Sequence, residues 1–174
     1  AVVDEPAKKS ITISFFEEYN FTISHKIAAG GETRFHSVKN GLAMVEAGIV
    51  GVQDGVRPFA SKEMIRRCFD AAYDLSAVVP VIDSTDSLRC VKEDGKSEII
   101  DRSRIRLVQT PQVFDVQLIK EAYQKLINEK IENATDDAMV VEQMMGHTVK
   151  LYPGAYENIK ITTPEDLLVA EAFL

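Results

Sequence analysis

The sequence predicts an α/β protein in which a doubly wound, mostly parallel sheet carries one projecting β-hairpin, with residues 1–174 forming a single domain. Short apolar runs of strand length alternate with stretches of helical periodicity, the pattern of successive βαβ units. The run at residues 77–82 is apolar throughout, as expected of a strand covered on both faces. The alternation breaks at Ser87, where two β-like runs flank Glu93-Asp94-Gly95-Lys96, and Asp-Gly between such runs is a strong hairpin signal.

In chain order, residues 1–3 read as the tail of a strand, 10–20 as a helix, 26–29 as a strand and 34–47 as a helix. A strand follows at 49–54. Ser61 is a plausible N-cap for a helix over 61–76, whose Met64, Ile65, Cys68, Phe69, Ala72 and Leu75 fall on one face. Pro80 weakens the strand at 77–82, because proline cannot donate to a ladder. The hairpin pairs residues 87–91 with 97–101. Helices are expected at 115–126 and 136–145, and strands near 149–152 and 158–161. Thr163 caps a last helix with Pro164 at its first position, where a missing amide proton costs nothing.

The chain has 174 residues, 45% of them apolar, enough for a sizeable core. With 27 acidic and 20 basic residues its net charge is -7. That argues against non-specific nucleic-acid binding, which needs a basic face to displace counterions. A small phosphorylated ligand needs only a few local cations and stays open. Cys68 and Cys90 belong to no metal-ligand pattern, and Cys68 reads as core. His25, His36 and His147 fit no triad or metal motif. No apolar run approaches the ~18 residues of a membrane span, and the start lacks the form of a signal peptide. These features suggest a soluble, cytoplasmic protein.

The chemistry concentrates in Gln53-Asp54-Gly55-Val56-Arg57-Pro58, directly after an apolar run. In a doubly wound sheet, ligands gather at the carboxyl ends of strands. Asp54 offers a hard oxygen to Mg²⁺, which favours one or two carboxylates plus phosphate oxygens. Arg57 offers a fork that matches phosphate. An ordinary turn whose Asp and Arg pair with each other has the same composition, so residue types alone leave both readings open. Gly30-Gly31 before Ser37 can likewise be a plain turn capping a helix. Arg102, Arg104 and Arg106 can be one solvated strand face, at a period of two. Thr135-Asp136-Asp137-Ala138 also reads as a common helix start, and Lys160 as a surface lysine.

Taken together, Gln53 to Pro58, Gly30-Gly31-Glu32-Thr33-Arg34 with Ser37-Val38, Thr110-Pro111-Gln112, Thr135-Asp136-Asp137-Ala138 and Asn158-Ile159-Lys160-Ile161-Thr162 resemble the 2-C-methyl-D-erythritol 4-phosphate cytidylyltransferase family. The resemblance implies a Rossmann-like nucleotidyltransferase fold and the joining of CTP to a polyol phosphate, with Mg²⁺ as cofactor. It implies catalytic roles for Asp54 and Lys160, with Asp54 also the metal ligand. Arg57, Ser87, Arg102, Thr110 and Thr135 would contact the polyol phosphate substrate, and Gly31, Glu32 and Ser37 the CTP. It further implies a homodimer formed through an arm at residues 84–101. Ser87 stands where the family commonly has Thr, and keeps the hydroxyl. Gln53 stands where the family most often has His, and keeps hydrogen bonding without titrating near neutral pH.

The family pattern opens with a strand and a Gly-rich loop bearing an Arg and a Pro-Lys pair. The 174 residues contain no such segment, and Pro6-Ala7-Lys8-Lys9 is no substitute. The domain is therefore expected to be N-terminally incomplete as it stands and impaired in activity, because that loop would stabilise the triphosphate. Two alternatives stay open: a ribitol-5-phosphate cytidylyltransferase, and an inactive dimerisation or binding fragment.

Overall fold

The structure, a computed structural model, describes residues 2–3, 16–129 and 135–174. The helix expected over 10–20 lies mostly outside the described residues, with 16–18 helical, and Pro6-Ala7-Lys8-Lys9 lies outside them altogether. The elements run β1 (Val2–Val3), β2 (Ala28–Ala29), α1 (Arg34–Leu42), β3 (Ile49–Val52), α2 (Lys62–Leu75), β4 (Ala77–Asp83), β5 (Leu88–Val91) and β6 (Ser97–Ile100). After a single 3-10 turn at Arg102–Arg104 come β7 (Arg106–Val108), β8 (Gln112–Asp115), α3 (Val116–Asn128), α4 (Asp137–Met145), β9 (Lys150–Pro153) and α5 (Pro164–Glu171). The result is a mixed α/β fold. Its chain divides into two compact units, one of Ala1–Val50 with Phe114–His147, the other of Gly51–Val113 with Thr148–Leu174.

In the first unit β1 and β2 pair in parallel, Val2 opposite Ala28. α3 packs on α4, burying Val116, Ile119, Ala122, Tyr123 and Leu126 on one helix and Ala138, Val140 and Val141 on the other. The spacing of these residues at three and four positions keeps each set on one face. α1 ends at Leu42 rather than continuing to 47. The amides of Ala43, Met44 and Val45 bond within the last turn, while side chains of Lys120 and Gln117 take the Val45 and Glu46 carbonyls. The last turn thus tightens to three-residue bonds at Met44 and Val45, and side-chain donors satisfy the carbonyls beyond it.

The five-stranded sheet runs β3-β8-β4-β7, with β9 also on β4. β4 pairs in parallel with β9, Val79 opposite Leu151, and antiparallel with β7, Ile82 opposite Leu107. Pro80 is tolerated inside β4 as an acceptor, its carbonyl taking the Gln109 amide at 2.9 Å. β3 stops at Val52, short of the expected 54. The second unit holds α2, capped by Ser61 as expected and closed by Ser76 in the left-handed region. Met64, Cys68 and Ala72 of its apolar face are fully buried, and burying a side chain such as Met64 contributes about 1.5–3 kcal/mol. Burial pushes the Cys68 thiol up, as befits an inert core residue.

β5 and β6 form the predicted hairpin as a separate two-stranded sheet, Leu88 opposite Ile100, with Gly95 at φ +79° in the turn. Two further expectations need correction. Arg102, Arg104 and Arg106 share no strand face, because Asp101 accepts from the Ser103 amide and winds Arg102–Arg104 into the 3-10 turn. Residues 158–161 are not a strand; Asn158 is buried there and its side chain, rather than a ladder, fixes the segment. The strands β7 and β8 were not foreseen.

Candidate functional site

After β3 the chain leaves the sheet at Gln53 and turns through Gly55 and Val56, the Arg57 amide closing on the Asp54 carbonyl at 3.0 Å. Gln53 fastens the same turn, its Nε2 donating to the Arg57 carbonyl at 2.9 Å. Gln53 is therefore a strut of the loop, a task glutamine performs without titrating. The Asp54 amide donates to Thr110 Oγ1 at 3.0 Å, joining the loop to the Thr-Pro-Gln segment.

Three charges meet on this loop. Asp54 Oδ2 lies 3.1 Å from Lys160 Nζ and 3.8 Å from Arg57 Nε. The Asp54 and Arg57 side chains are only 16% and 12% exposed, whereas Lys160 is 47% exposed, so the lysine forms the open side of the group. Arg57 Nη1 donates to the Asn158 carbonyl at 2.7 Å. Burial pulls the Arg57 guanidinium down while the Asp54 charge pushes it back up; an arginine stays charged under both influences. Two cations around one carboxylate leave a local excess of positive charge in a chain whose net charge is negative, which suits a small anion.

Ser87 and Arg102 sit at the root of the hairpin. Both are exposed, and Arg102 donates to the Thr85 carbonyl. In the other compact unit, Gly31 makes the turn before α1. A Cβ there would come within 2.2 Å of His36 Cβ, so only glycine fits. The buried Ser37 hydroxyl accepts the Gly31 amide at 3.0 Å, and Glu32 is exposed beside it. Thr135 precedes α4, whose N-cap is Asp136, accepting the Met139 amide at 2.8 Å; the Thr135 hydroxyl points to Met139 Sδ at 3.5 Å. Next to it Asp137 is fully buried, held by Arg34 at 3.1 and 2.7 Å and by the Tyr123 hydroxyl. Burial and then the Asp137 charge raise the Tyr123 hydroxyl above the ordinary phenol range, so it remains a proton donor.

The structure thus brings Asp54, Arg57, Thr110 and Lys160 into one cluster. Sequence reasoning missed the buried polar residues behind it, Gln109 and Asn158, and the Arg34–Asp137–Tyr123 group. The available signal was an amide side chain inside an otherwise apolar or motif-bearing segment, as in Val108-Gln109-Thr110. Among the described residues no group of three or more His, Cys, Asp or Glu could hold a metal with protein ligands alone. Mg²⁺ needs only one or two carboxylates when phosphate and water supply its other ligands, and Asp54 is the one this cluster offers.

The mixed α/β fold is that of a nucleotidyltransferase, by its match to solved structures. Two solved structures share the fold. One is the 4-diphosphocytidyl-2C-methyl-D-erythritol synthase of Anaerococcus prevotii, with TM-score 0.86 and 32% identity over 97% of this chain and 75% of that one. The other is the 2-C-methyl-D-erythritol 4-phosphate cytidylyltransferase of Thermus thermophilus, with TM-score 0.78 and 33% identity over 93% of this chain and 85% of that one. Residues 9–174 match the 2-C-methyl-D-erythritol 4-phosphate cytidylyltransferase family, and the chain belongs to it. Relatives of that name from Phocaeicola vulgatus and Bacteroides fragilis are 55% and 57% identical over 159 residues, covering 91% of this chain and 70% of theirs.

Proposed function

We infer that the protein is a Mg²⁺-dependent cytidylyltransferase joining CTP to 2-C-methyl-D-erythritol 4-phosphate, giving the CDP-alcohol and pyrophosphate in non-mevalonate isoprenoid precursor synthesis. The single observation that carries this reading is the Asp54–Lys160 contact at 3.1 Å, with Arg57 behind it, in a chain of this family. A phosphate oxygen of the polyol substrate attacks the α-phosphorus of CTP in line. A new P–O bond forms, the bond to the departing pyrophosphate breaks, and no covalent enzyme intermediate is needed. Lys160 offers its ammonium to the charge that accumulates at the reacting phosphorus, a preorganised cation of the kind that accounts for much of catalysis. Arg57 steadies the substrate phosphate together with Ser87 and Arg102, while Thr110 holds the Asp54 amide and Thr135 contacts substrate. Gly31, Glu32 and Ser37 hold the nucleotide. Asp54 would hold the Mg²⁺, which when bound neutralises triphosphate charge.

The doubly wound, mostly parallel sheet belongs to the same reading, supported by the parallel β1–β2 and β4–β9 pairs, as does a single domain over residues 1–174, supported by one family match over residues 9–174. So does a homodimer through residues 84–101, supported by a hairpin that forms its own sheet and exposes Val91 and Ile99. A cytoplasmic location accords with the family; among the described residues no helix is long and apolar enough to cross a membrane. The family match favours methylerythritol phosphate over ribitol phosphate, and the retained cations disfavour an inactive module. The test is pyrophosphate release by full-length enzyme from CTP with each polyol phosphate. Release with 2-C-methyl-D-erythritol 4-phosphate at a kcat/KM well above that for ribitol 5-phosphate is expected; the reverse preference, or no release with either, rejects the assignment.

A further inference from the structure

Lys160 reaches Asp54 from a segment that has no sheet ladder to hold it. Its backbone has three bonds of its own: Asn158 N–H to the Ala155 carbonyl at 3.1 Å, Ile159 N–H to Glu157 at 2.8 Å and Ile161 N–H to Val56 at 2.9 Å. The remaining restraint comes from two buried amide side chains. Gln109, 3% exposed, donates through Nε2 to the Ala155 carbonyl at 2.8 Å and to the Asn158 carbonyl at 3.3 Å, and its Oε1 accepts the Ala155 amide at 3.2 Å. Asn158 is wholly buried and donates through Nδ2 to the Thr110 carbonyl at 2.9 Å and to Gln109 Oε1 at 3.4 Å.

We propose that Asn158 and Gln109 form a buried amide brace that positions Lys160 and Arg57 for the transfer reaction, without touching substrate themselves. The proposal rests on the assignment of Lys160 and Arg57 above. Both ends of the brace meet the cluster. Thr110, whose carbonyl takes the Asn158 side chain, accepts the Asp54 amide on its hydroxyl oxygen. The Asn158 carbonyl and the Val108 carbonyl, each adjacent to a brace residue or part of one, accept the two terminal nitrogens of Arg57 at 2.7 and 3.4 Å. Asp54, Arg57 and Lys160 therefore hang on one polar frame.

The frame is also costly. Among the described residues Asn158 Oδ1 is buried without a hydrogen-bond partner, an arrangement that disfavours folding and that an apolar side chain would avoid. Gly154 is demanded as well, since a Cβ there would lie 2.5 Å from Gln109 Oε1 and 3.1 Å from the Val81 carbonyl oxygen. Local violations of this kind are expected where geometry serves a site rather than the core. Amides suit the task because each carries donors and an acceptor in one rigid plane.

The experiment is a double-substitution cycle in full-length enzyme, with steady-state kinetics for both substrates and thermal melts to confirm folding at the assay temperature. Asn158→Ala is expected to lower kcat/KM for the polyol phosphate by roughly tenfold or more while the KM for CTP stays within about twofold. In a Lys160→Ala background the same substitution is expected to cost less than about threefold further, because residues acting as one unit are not additive. A folded Asn158→Ala enzyme with near-normal constants overturns the brace. So do losses that multiply in full, or a fall in rate that only tracks the folded fraction with both KM values unchanged. If Lys160→Ala is impaired while Asn158→Ala is not, the brace alone fails; if Lys160→Ala is itself normal, the assignment of the site fails and the brace with it. Should Asn158→Ala not fold, Gln109→Glu carries the same cycle, since it keeps the acceptor toward the Ala155 amide and removes the donor toward Ala155 and Asn158.

Discussion

Removing the Asp137 carboxylate should be among the most damaging single changes to the first compact unit. Its side chain is fully buried, and its oxygens meet Arg34 at 3.1 and 2.7 Å and the Tyr123 hydroxyl. Breaking a buried ion pair by deleting one partner typically costs about 3–5 kcal/mol. Arg34 is 36% exposed and can turn to water, which places Asp137→Ala near the lower end, about 3 kcal/mol. Tyr123 has no such escape, being 1% exposed. Tyr123→Phe removes one hydrogen bond to a charged group, about 1.5–3 kcal/mol. In the double variant the hydroxyl is no longer stranded, so the two losses should fall short of their sum by about 1 kcal/mol or more. Urea unfolding followed by far-ultraviolet circular dichroism measures all three, against a total stability of about 5–15 kcal/mol. A loss below about 1 kcal/mol for Asp137→Ala, or strict additivity, would refute the reasoning that the buried carboxylate depends on this clamp.

Asp54→Asn keeps the shape of the loop but removes the charge a hard cation requires, so Mg²⁺-dependent pyrophosphate release should vanish while the melting curve stays close to that of the parent; near-normal release would return Asp54 to a turn role. Full-length enzyme should scatter light as a dimer, and excision of residues 84–101 should make it monomeric; a fully active monomer would contradict the arm. Asp166 accepts the Thr162 and then the Thr163 amide, which holds its carboxyl below the usual range. A depressed value in the folded state means that its contribution is present above the ordinary carboxylate value of about 3.9 and is lost as pH falls through the folded value. Asp166→Asn should therefore flatten the acid limb of a stability profile between about pH 5 and pH 2, read as urea midpoints.

The fold was legible where apolar periodicity and cap residues agree. Ser61, Thr163 with Pro164, and Asp94-Gly95 mark their elements because local chemistry decides there. It was illegible where side chains replace ladders. Residues 158–161 have the composition of a strand, yet the buried Asn158 amide and a single bond to Val56 hold them outside the sheet. The helix after Arg34 stops early because its last turn tightens, the Met44 and Val45 amides bonding three residues back, a switch that apolar periodicity does not reveal. β7 and β8 are short, and polar Gln109 and Thr110 separate them, so neither presents a run long enough to register as a strand. At the site, Asp54, Arg57, Thr110 and Lys160 were recognisable from motifs. Gln109 and Asn158 were not, since their importance lies in contacts between segments about 50 residues apart, which spacing does not encode.

Whether Lys160 and Asp54 face the reacting phosphates is decided by the kinetics of Lys160→Ala. The Lys160–Asp54 pair is half-exposed on the lysine side, and exposed pairs contribute about 0–1 kcal/mol to stability. The substitution should therefore leave urea midpoints almost unchanged while lowering kcat/KM for CTP and 2-C-methyl-D-erythritol 4-phosphate by on the order of a hundredfold or more. Lys160→Arg should rescue poorly, because a planar fork does not replace a compact ammonium. Near-normal kcat/KM for Lys160→Ala in a folded enzyme would remove Lys160 from the reacting phosphates.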